Sequence, residues 1–212
     1  MEVKFIPEEI IKYCEDNSTP NKDVTNKILI ENIDNDGFHM MIGNLSSYLL
    51  RLIILTKNPK SILELGTFLG YATSILFENS SNKCKIVSLE EDSDNYIKAK
   101  NNLSKYLNEK RLKLINHEGI SYLKKSDFMF DLIFIDIRKE AYYNNLEDIY
   151  NKLHIKGVLI IDNALAGLGV LNPQKDWHSQ TIKINEILKK DCRFITTIIP
   201  IRDGFTFAIK IK

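Results

Sequence analysis

Cysteine is scarce in this chain. Its three cysteines, Cys14, Cys84 and Cys192, are odd in number, far apart and without a CxxC pair. That pattern argues against a disulfide framework and against a thiolate zinc site. Long apolar runs are also missing: the best stretch, Tyr48–Leu55, is interrupted by Arg51 and falls well short of the roughly 18–20 residues a bilayer span needs. The opening Met1-Glu2-Val3-Lys4 has an early acid and no apolar h-region, so no signal peptide is expected. These absences read as a soluble, reduced, cytoplasmic protein with no membrane partner. No single sign of charge dominates, because 29 Lys and Arg face 28 Asp and Glu for a net +1. That balance weakens any reading as a general nucleic-acid binder. The four histidines (His39, His117, His154, His178) are scattered without an HExxH spacing, so none is expected to be a metal ligand.

What is present is an ordinary globular balance, 44% hydrophobic and 27% charged over 212 residues. It fits one domain with a short extension. Residues 1–58 form an expected N-terminal helical extension, with helices over Pro7–Cys14, Asn26–Asn32 and Leu45–Thr56 and a turn at Asn35-Asp36-Gly37. Leu45–Thr56 is apolar on most faces and is expected to be deeply packed.

From residue 59 the rhythm changes. Short apolar runs at Ser61–Leu65, Lys85–Leu89, Leu112–Ile115, Asp131–Asp136 and Gly157–Asp162 alternate with helical segments near Tyr71–Phe77, Asn95–Asn108, Ser121–Lys125 and Ala141–Leu153. Continuously apolar strands that alternate with helices predict a parallel sheet covered on both faces. A final helix, Thr181–Lys190, and a hairpin, Phe194–Ile199 with Phe205–Ile211, must add an antiparallel edge, because the loop is too short for a crossover. The expected fold is therefore α/β and doubly wound, with a mixed edge.

Ligands of such sheets sit beyond the carboxyl ends of the strands. The residues there are Glu64–Thr67, Glu90, Glu118-Gly119, Asp136 and Asp162-Asn163, an acidic set that packing alone does not require. In Glu64-Leu65-Gly66-Thr67-Phe68-Leu69-Gly70-Tyr71 the glycines suit a tight turn close to a ligand. The spacing is not GxGxxG, and Glu64 would repel a pyrophosphate. The motif points away from a dinucleotide and towards the cationic S-adenosylmethionine. Glu90, 24 residues beyond Gly66, is placed to accept hydrogen bonds from ribose hydroxyls. Asp136 with Asp162-Asn163 offers three oxygen donors for Mg²⁺, Mn²⁺ or Ca²⁺. Helix capping and turn formation are the competing use of the same residues.

Together, Leu63–Tyr71, Asp131–Asp136 with Lys139 and Tyr142, Asp162-Asn163, and Pro200-Ile201-Arg202-Asp203-Gly204 resemble the cation-dependent O-methyltransferases. That family includes the catechol and caffeoyl-coenzyme-A enzymes and their short bacterial relatives. The resemblance runs in order from about Ile42 to Lys210. It implies a Rossmann-like class I methyltransferase fold with seven strands. It implies that Asp136, Asp162 and Asn163 hold the divalent cation, that Lys139 is the base, and that the chain pairs as a homodimer. It also implies a cofactor site formed by Glu64, Gly66, Thr67, Gly70, Tyr71, Glu90 and Asp136. Gly119-Ile120-Ser121 would form its adenine-side turn, and Met41-Ile42 would close over its methionine end.

Two departures are visible. Ala164-Leu165-Ala166 stands where relatives often carry an aromatic residue, and Asp136-Ile137-Arg138-Lys139 stands where they often have Asp-Ala-Asp-Lys. The expected reaction is methyl transfer to a hydroxyl of a catechol-like small molecule, with a hydroxyuridine of tRNA as the alternative acceptor. Trp177 and the loop Leu168–His178 are candidates for the acceptor wall.

Overall fold

The computed structural model describes residues 6–32 and 40–212. The expected turn at Asn35-Asp36-Gly37 and the residue His39 lie outside them. Three helices come first: α1 (Glu8–Asp16), α2 (Asp23–Glu31) and α3 (Gly43–Lys57). Next come β1 (Ser61–Leu65), α4 (Tyr71–Asn79), β2 (Lys85–Glu90), α5 (Ser93–Asn102), α6 (Ser104–Leu107) and β3 (Leu112–Asn116). The second half runs through α7 (Gly119–Lys125), β4 (Phe130–Ile135), α8 (Lys139–Tyr142), α9 (Leu146–Asn151) and β5 (Leu153–Ile161). It ends with α10 (Asp176–Lys190), β6 (Phe194–Ile199) and β7 (Phe205–Lys210).

The sheet has seven strands in the order β3-β2-β1-β4-β5-β7-β6. Strands β1 to β5 pair in parallel, and β7 runs antiparallel to both β5 and β6. The chain winds outward from β1 to β3 and then returns to place β4 on the other side of β1. The ends of β1 and β4 therefore flank the point where strand order reverses, which is where this architecture binds ligands.

Two apolar layers, one on each face of the sheet, bury the central strands completely. One gathers Leu50 and Ile54 of α3, Ile75 and Leu76 of α4, and Ile62, Leu132, Phe134 and Ile160 of the strands. The other gathers Leu63, Leu65, Ile133, Ile135, Leu159 and Ile161 with Tyr142, Ile149, Ile184 and Leu188. Both faces being covered explains why these strands read as unbroken apolar runs.

Several boundaries differ from expectation for local reasons. The predicted helix Ala141–Leu153 is broken: α8 ends at Tyr142 and α9 begins at Leu146 after a single 3-10 turn. Strand β5 starts at Leu153, not Gly157, and its register against β4 shifts between Phe130 and Leu132. Gly157 is required at this irregularity, because a Cβ there would lie 2.6 Å from the carbonyl oxygen of His154. Helix α10 starts five residues earlier than predicted and takes Trp177 and His178 out of the loop. Helix α3 is deeply packed on one face only, since Leu52 and Leu55 are each 58% exposed.

The N-terminal helices are joined to the sheet's outer layer by buried polar contacts. Asn21 donates to Ser47 Oγ at 2.7 Å and to the Tyr71 hydroxyl at 3.3 Å, and Thr25 and Ser74 share a hydrogen bond of 2.8 Å. Arg51 donates to the carbonyls of Pro20 and Thr19.

Phe134 lies at the centre of the sheet, fully buried, with its ring 6.1 Å from that of Phe205 and edge-on to it. Phe134→Ala should lower stability by about 3–5 kcal/mol, the cost of an aromatic-sized cavity, read as a fall in the urea midpoint.

Candidate functional site

A cleft of about 780 Å³ opens at the carboxyl ends of β1, β2, β3 and β4. That volume is in the range of small-molecule and cofactor sites. Its floor is set by the contact between the ends of β1 and β4. Gly66 has φ +97°, and a Cβ there would fall 2.1 Å from the carbonyl oxygen of Asp136. Only glycine tolerates both the positive φ and the approach. The Gly66 and Thr67 amides both donate to the Leu89 carbonyl, which ties the turn to β2.

Glu64 lies beneath this turn and is fully buried. Its Oε2 accepts from Thr73 at 2.5 Å and Ser88 at 2.6 Å, while its buried Oε1 has no partner. Burial pushes its pKa up to about 8. Thr67 and Ser88 share a 2.5 Å hydrogen bond in the same buried network. Gly70, with φ +88°, opens α4 against the side chain of Leu103.

Glu90 ends β2 on the cleft wall. The Phe68 amide donates to its Oε2 at 2.7 Å and the Asp92 amide to its Oε1 at 3.0 Å. Each oxygen retains a lone pair for a ligand hydroxyl. Glu118 caps α7 by accepting from the amides of Ile120 (2.8 Å) and Ser121 (2.7 Å). Desolvation pulls its pKa upward, but these hydrogen bonds outweigh it and hold the carboxyl below its ordinary value.

On the β4 and β5 side, the Asp136 amide donates to the Leu65 carbonyl and the Asp162 amide to the Ile135 carbonyl. The two acids thus stand at the ends of neighbouring strands. Burial raises both carboxyl pKa values, and for Asp162 the charge of Asp136 adds to the rise, while Lys139 and Arg202 pull both back down. Asn163 adopts φ +57°, and its amide donates to Asp162 Oδ1 at 2.7 Å. Lys139 is 5% exposed at the start of α8, and its Nζ donates to the Asp162 carbonyl at 2.8 Å. Burial lowers the Lys139 pKa, against the opposing charges of Asp136, Asp162 and Asp203.

Of the residues expected at the site, Gly66, Glu90, Gly119, Asp136, Lys139 and Asn163 share the cleft wall. Asp162 is just behind it, 3% exposed. Glu64, Thr67, Gly70, Ile120 and Ser121, also expected there, do not line the cleft. Met41, Ile42 and Tyr71 are buried in the apolar layer towards the N-terminal helices. The Tyr71 hydroxyl is engaged by Asn21 and Asn44, and burial raises its pKa to about 12.

Sequence reasoning did not assign a role to Phe68, Met40, Arg138 or Asp203, all of which line the cleft. Asp203 was visible inside the Pro200–Gly204 motif. Phe68 carries no sequence signal, because its place on the wall follows from a left-handed φ of +50°.

Among the described residues, no set of three or more His, Cys, Asp or Glu side chains is arranged to hold a metal ion. The acid pair and the Asn163 amide could instead hold a hard, partly hydrated cation, as Mg²⁺ is commonly held by one or two carboxylates together with substrate oxygens and water. Two adjacent carboxylates with raised pKa values fit such a cation, since its charge would favour the ionised form of both.

The chain belongs to the O-methyltransferase family, whose model matches residues 15–211. Its activity class is S-adenosylmethionine-dependent O-methyl transfer. It is 26% identical over 189 residues to the caffeoyl-CoA O-methyltransferase of Stellaria longipes, covering 82% of this chain and 76% of that protein. The fold is shared with the SAH-bound methyltransferase PaMTH1 of Podospora anserina, at a TM-score of 0.86 and 24% identity over 99% of both chains. It is shared too with an O-methyltransferase from Bacillus cereus in complex with SAH, at a TM-score of 0.83 and 22% identity over 95% of this chain and 97% of that one. No helix among the described residues is long and apolar enough to cross a membrane.

Gly66→Ala should abolish S-adenosylmethionine binding in calorimetry, because its Cβ would have to displace the backbone of Asp136. The raised pKa of Glu64 also has a pH consequence. Between its unfolded value near 4.3 and its folded value of about 8, the folded state binds the extra proton. The stability it contributes is complete at low pH and lost as pH rises through that window. In metal- and cofactor-free protein, Glu64→Gln should therefore lose less stability than wild type between pH 5 and pH 9 in urea titrations. Asp136 and Asp162 shift in the same direction but are common to both proteins.

Proposed function

We propose that this protein methylates a hydroxyl of an aromatic small molecule bearing adjacent hydroxyls, with S-adenosylmethionine as donor and a divalent cation held by Asp136, Asp162 and Asn163. The observation that carries the reading is the juxtaposition, at one switch point, of a glycine turn, a ribose-ready Glu90 and a buried acid pair contacted by Lys139. A cation bound there would lower the pKa of an acceptor hydroxyl and fix its orientation, and the sulfonium donor supplies the methyl group.

The chain's own residues do the rest. Glu90 holds the ribose end of the donor, and the Gly66 turn lets the backbone approach it closely. Lys139, already shifted towards its neutral form by burial, accepts the acceptor's hydroxyl proton at Nζ. Its hydrogen bond to the Asp162 carbonyl fixes that atom in place. Trp177 and Met40 supply apolar surface on the cleft wall for an aromatic ring. Holding the two reactants in one pose supplies up to roughly 7–11 kcal/mol of the acceleration in favourable cases. Residues 1–58 are proposed to serve the acceptor side and subunit pairing as a homodimer. The position of Met40 on the cleft wall supports the first of these roles.

Three measurements test the proposal. Excess chelator should abolish methyl transfer and Mg²⁺ should restore it; full activity in chelator would remove the cation from the mechanism. Asp162→Ala should eliminate turnover while S-adenosylmethionine still binds in calorimetry. Lys139→Met should lower kcat by about 10²–10⁴-fold, the usual worth of a general base, with little change in donor affinity.

A further inference from the structure

The net charge of +1 conceals a separation of charge along the strands. The segments at the end of the sheet opposite the cleft are 57–61, 80–85, 108–113, 126–131, 151–156, 191–194 and 210–212. Together they hold twelve Lys or Arg against four Asp or Glu. Three of the four acids are engaged. Glu109 pairs with Arg111 at 3.1 Å and Asp191 with Arg193 at 2.8 Å, while Asp131 accepts from the amides of Lys60 at 2.7 Å and Ser61 at 3.1 Å. Asp127 is the exposed remainder. Both arginines of this face are thereby committed. Lys60, Lys83, Lys85, Lys110 and Lys156 are exposed and form no ion pair among the described residues. Helix dipoles favour lysine in the last turn of a helix, but all five stand beyond the helices, on loops or strands.

Apolar side chains interrupt this basic face where the ends of β4, β5 and β7 lie side by side. Phe128 is 69% exposed, Ile155 63%, Ile211 41% and Met129 38%. Met129 and Ile155 share one recess of about 770 Å³ with Lys60, Lys210 and His154, so the apolar and cationic groups form a single surface. The core does not use Phe128, since Phe130, two residues on, is the ring that is buried. A cluster of exposed apolar groups rimmed by charge marks an interaction surface. We infer that this face docks on an anionic phospholipid bilayer, its apolar tips entering the interface and its lysines meeting the headgroup phosphates. A bilayer interface accepts both kinds of group. A nucleic-acid backbone would attract the lysines but leave the tips of Met129, Ile155 and Ile211 in water. The contact is peripheral, because no helix among the described residues is long and apolar enough to cross a membrane. The balanced total charge explains why the sequence alone suggests no membrane partner. The cleft opens a strand length away, about 17–20 Å, so docking leaves it facing water. The inference stands apart from the methyl-transfer reading.

The test is flotation of the full chain with vesicles of phosphatidylcholine alone and of phosphatidylcholine mixed with phosphatidylserine. Phosphatidylserine should raise the partition coefficient at least about tenfold. Added salt should reverse that gain, since exposed charges are already screened beyond about 8 Å at physiological ionic strength. Lys60→Glu combined with Lys156→Glu should weaken binding to the mixed vesicles at least about fivefold. Phe128→Ser combined with Ile155→Ser should weaken it several-fold while the salt dependence persists. Urea midpoints matching wild type identify the variants as folded, and the salt series on the unmodified chain tests the inference without them. Absence of binding to both vesicles, or equal binding to both, would overturn it. Tighter binding of a structured RNA than of the mixed vesicles would overturn it in favour of nucleic acid. Self-association in sedimentation that Phe128→Ser abolishes, without vesicle binding, would assign the face to a second copy of the chain instead.

Discussion

The end of β1 lies so close to the end of β4 that the backbone of Gly66 touches the carbonyl of Asp136, and the cleft exists because of that contact. It brings the glycine turn and the first acid of the buried pair within one residue's reach, although they are 70 positions apart in the chain. The register does the rest. Leu65 pairs with Ile135 and Ile135 with Ile161, so the residues following each strand emerge side by side at one edge. A side chain at position 66 would force those strands apart and scatter the groups beyond them.

The same edge concentrates an electrostatic cost. Glu64, Asp136 and Asp162 are all pushed towards their neutral forms by burial. A soluble domain does not gather buried carboxylates for stability, since each must be desolvated. Thr73 and Ser88 offset part of that cost at Glu64, and Lys139 and Arg202 offset part of it at the pair. Buried titratable groups perturbed in this way mark a candidate functional site.

Much of this was legible in the chain itself. The five parallel strands were visible as apolar runs because both faces of the sheet are covered. The antiparallel hairpin was visible from the length of its loop. Asp136, Asp162, Asn163, Glu90 and Gly66 stood out because polar groups and glycine at strand ends have no packing purpose. What failed was local. Helix-like periodicity after Ala141 hid the break at Tyr142–Leu146, and the apolar composition of Leu45–Thr56 hid the exposed face at Leu52 and Leu55. A window of sequence reports how apolar a segment is, not which neighbour covers it.

The amino-acid order by itself determined which residues are strands, which strand ends carry acids, and that the glycine turn is not of the dinucleotide type. Hydrophobic periodicity and the stereochemistry of glycine act within a few residues, so they can be read from the chain alone. Only the tertiary structure decided that Glu64 and Tyr71 turn away from the cleft wall, that Phe68 and Met40 face it, and that Lys139 reaches the Asp162 carbonyl. Those outcomes depend on how far apart in space the strand order leaves each end, and on which charges burial then forces to share a low-dielectric volume.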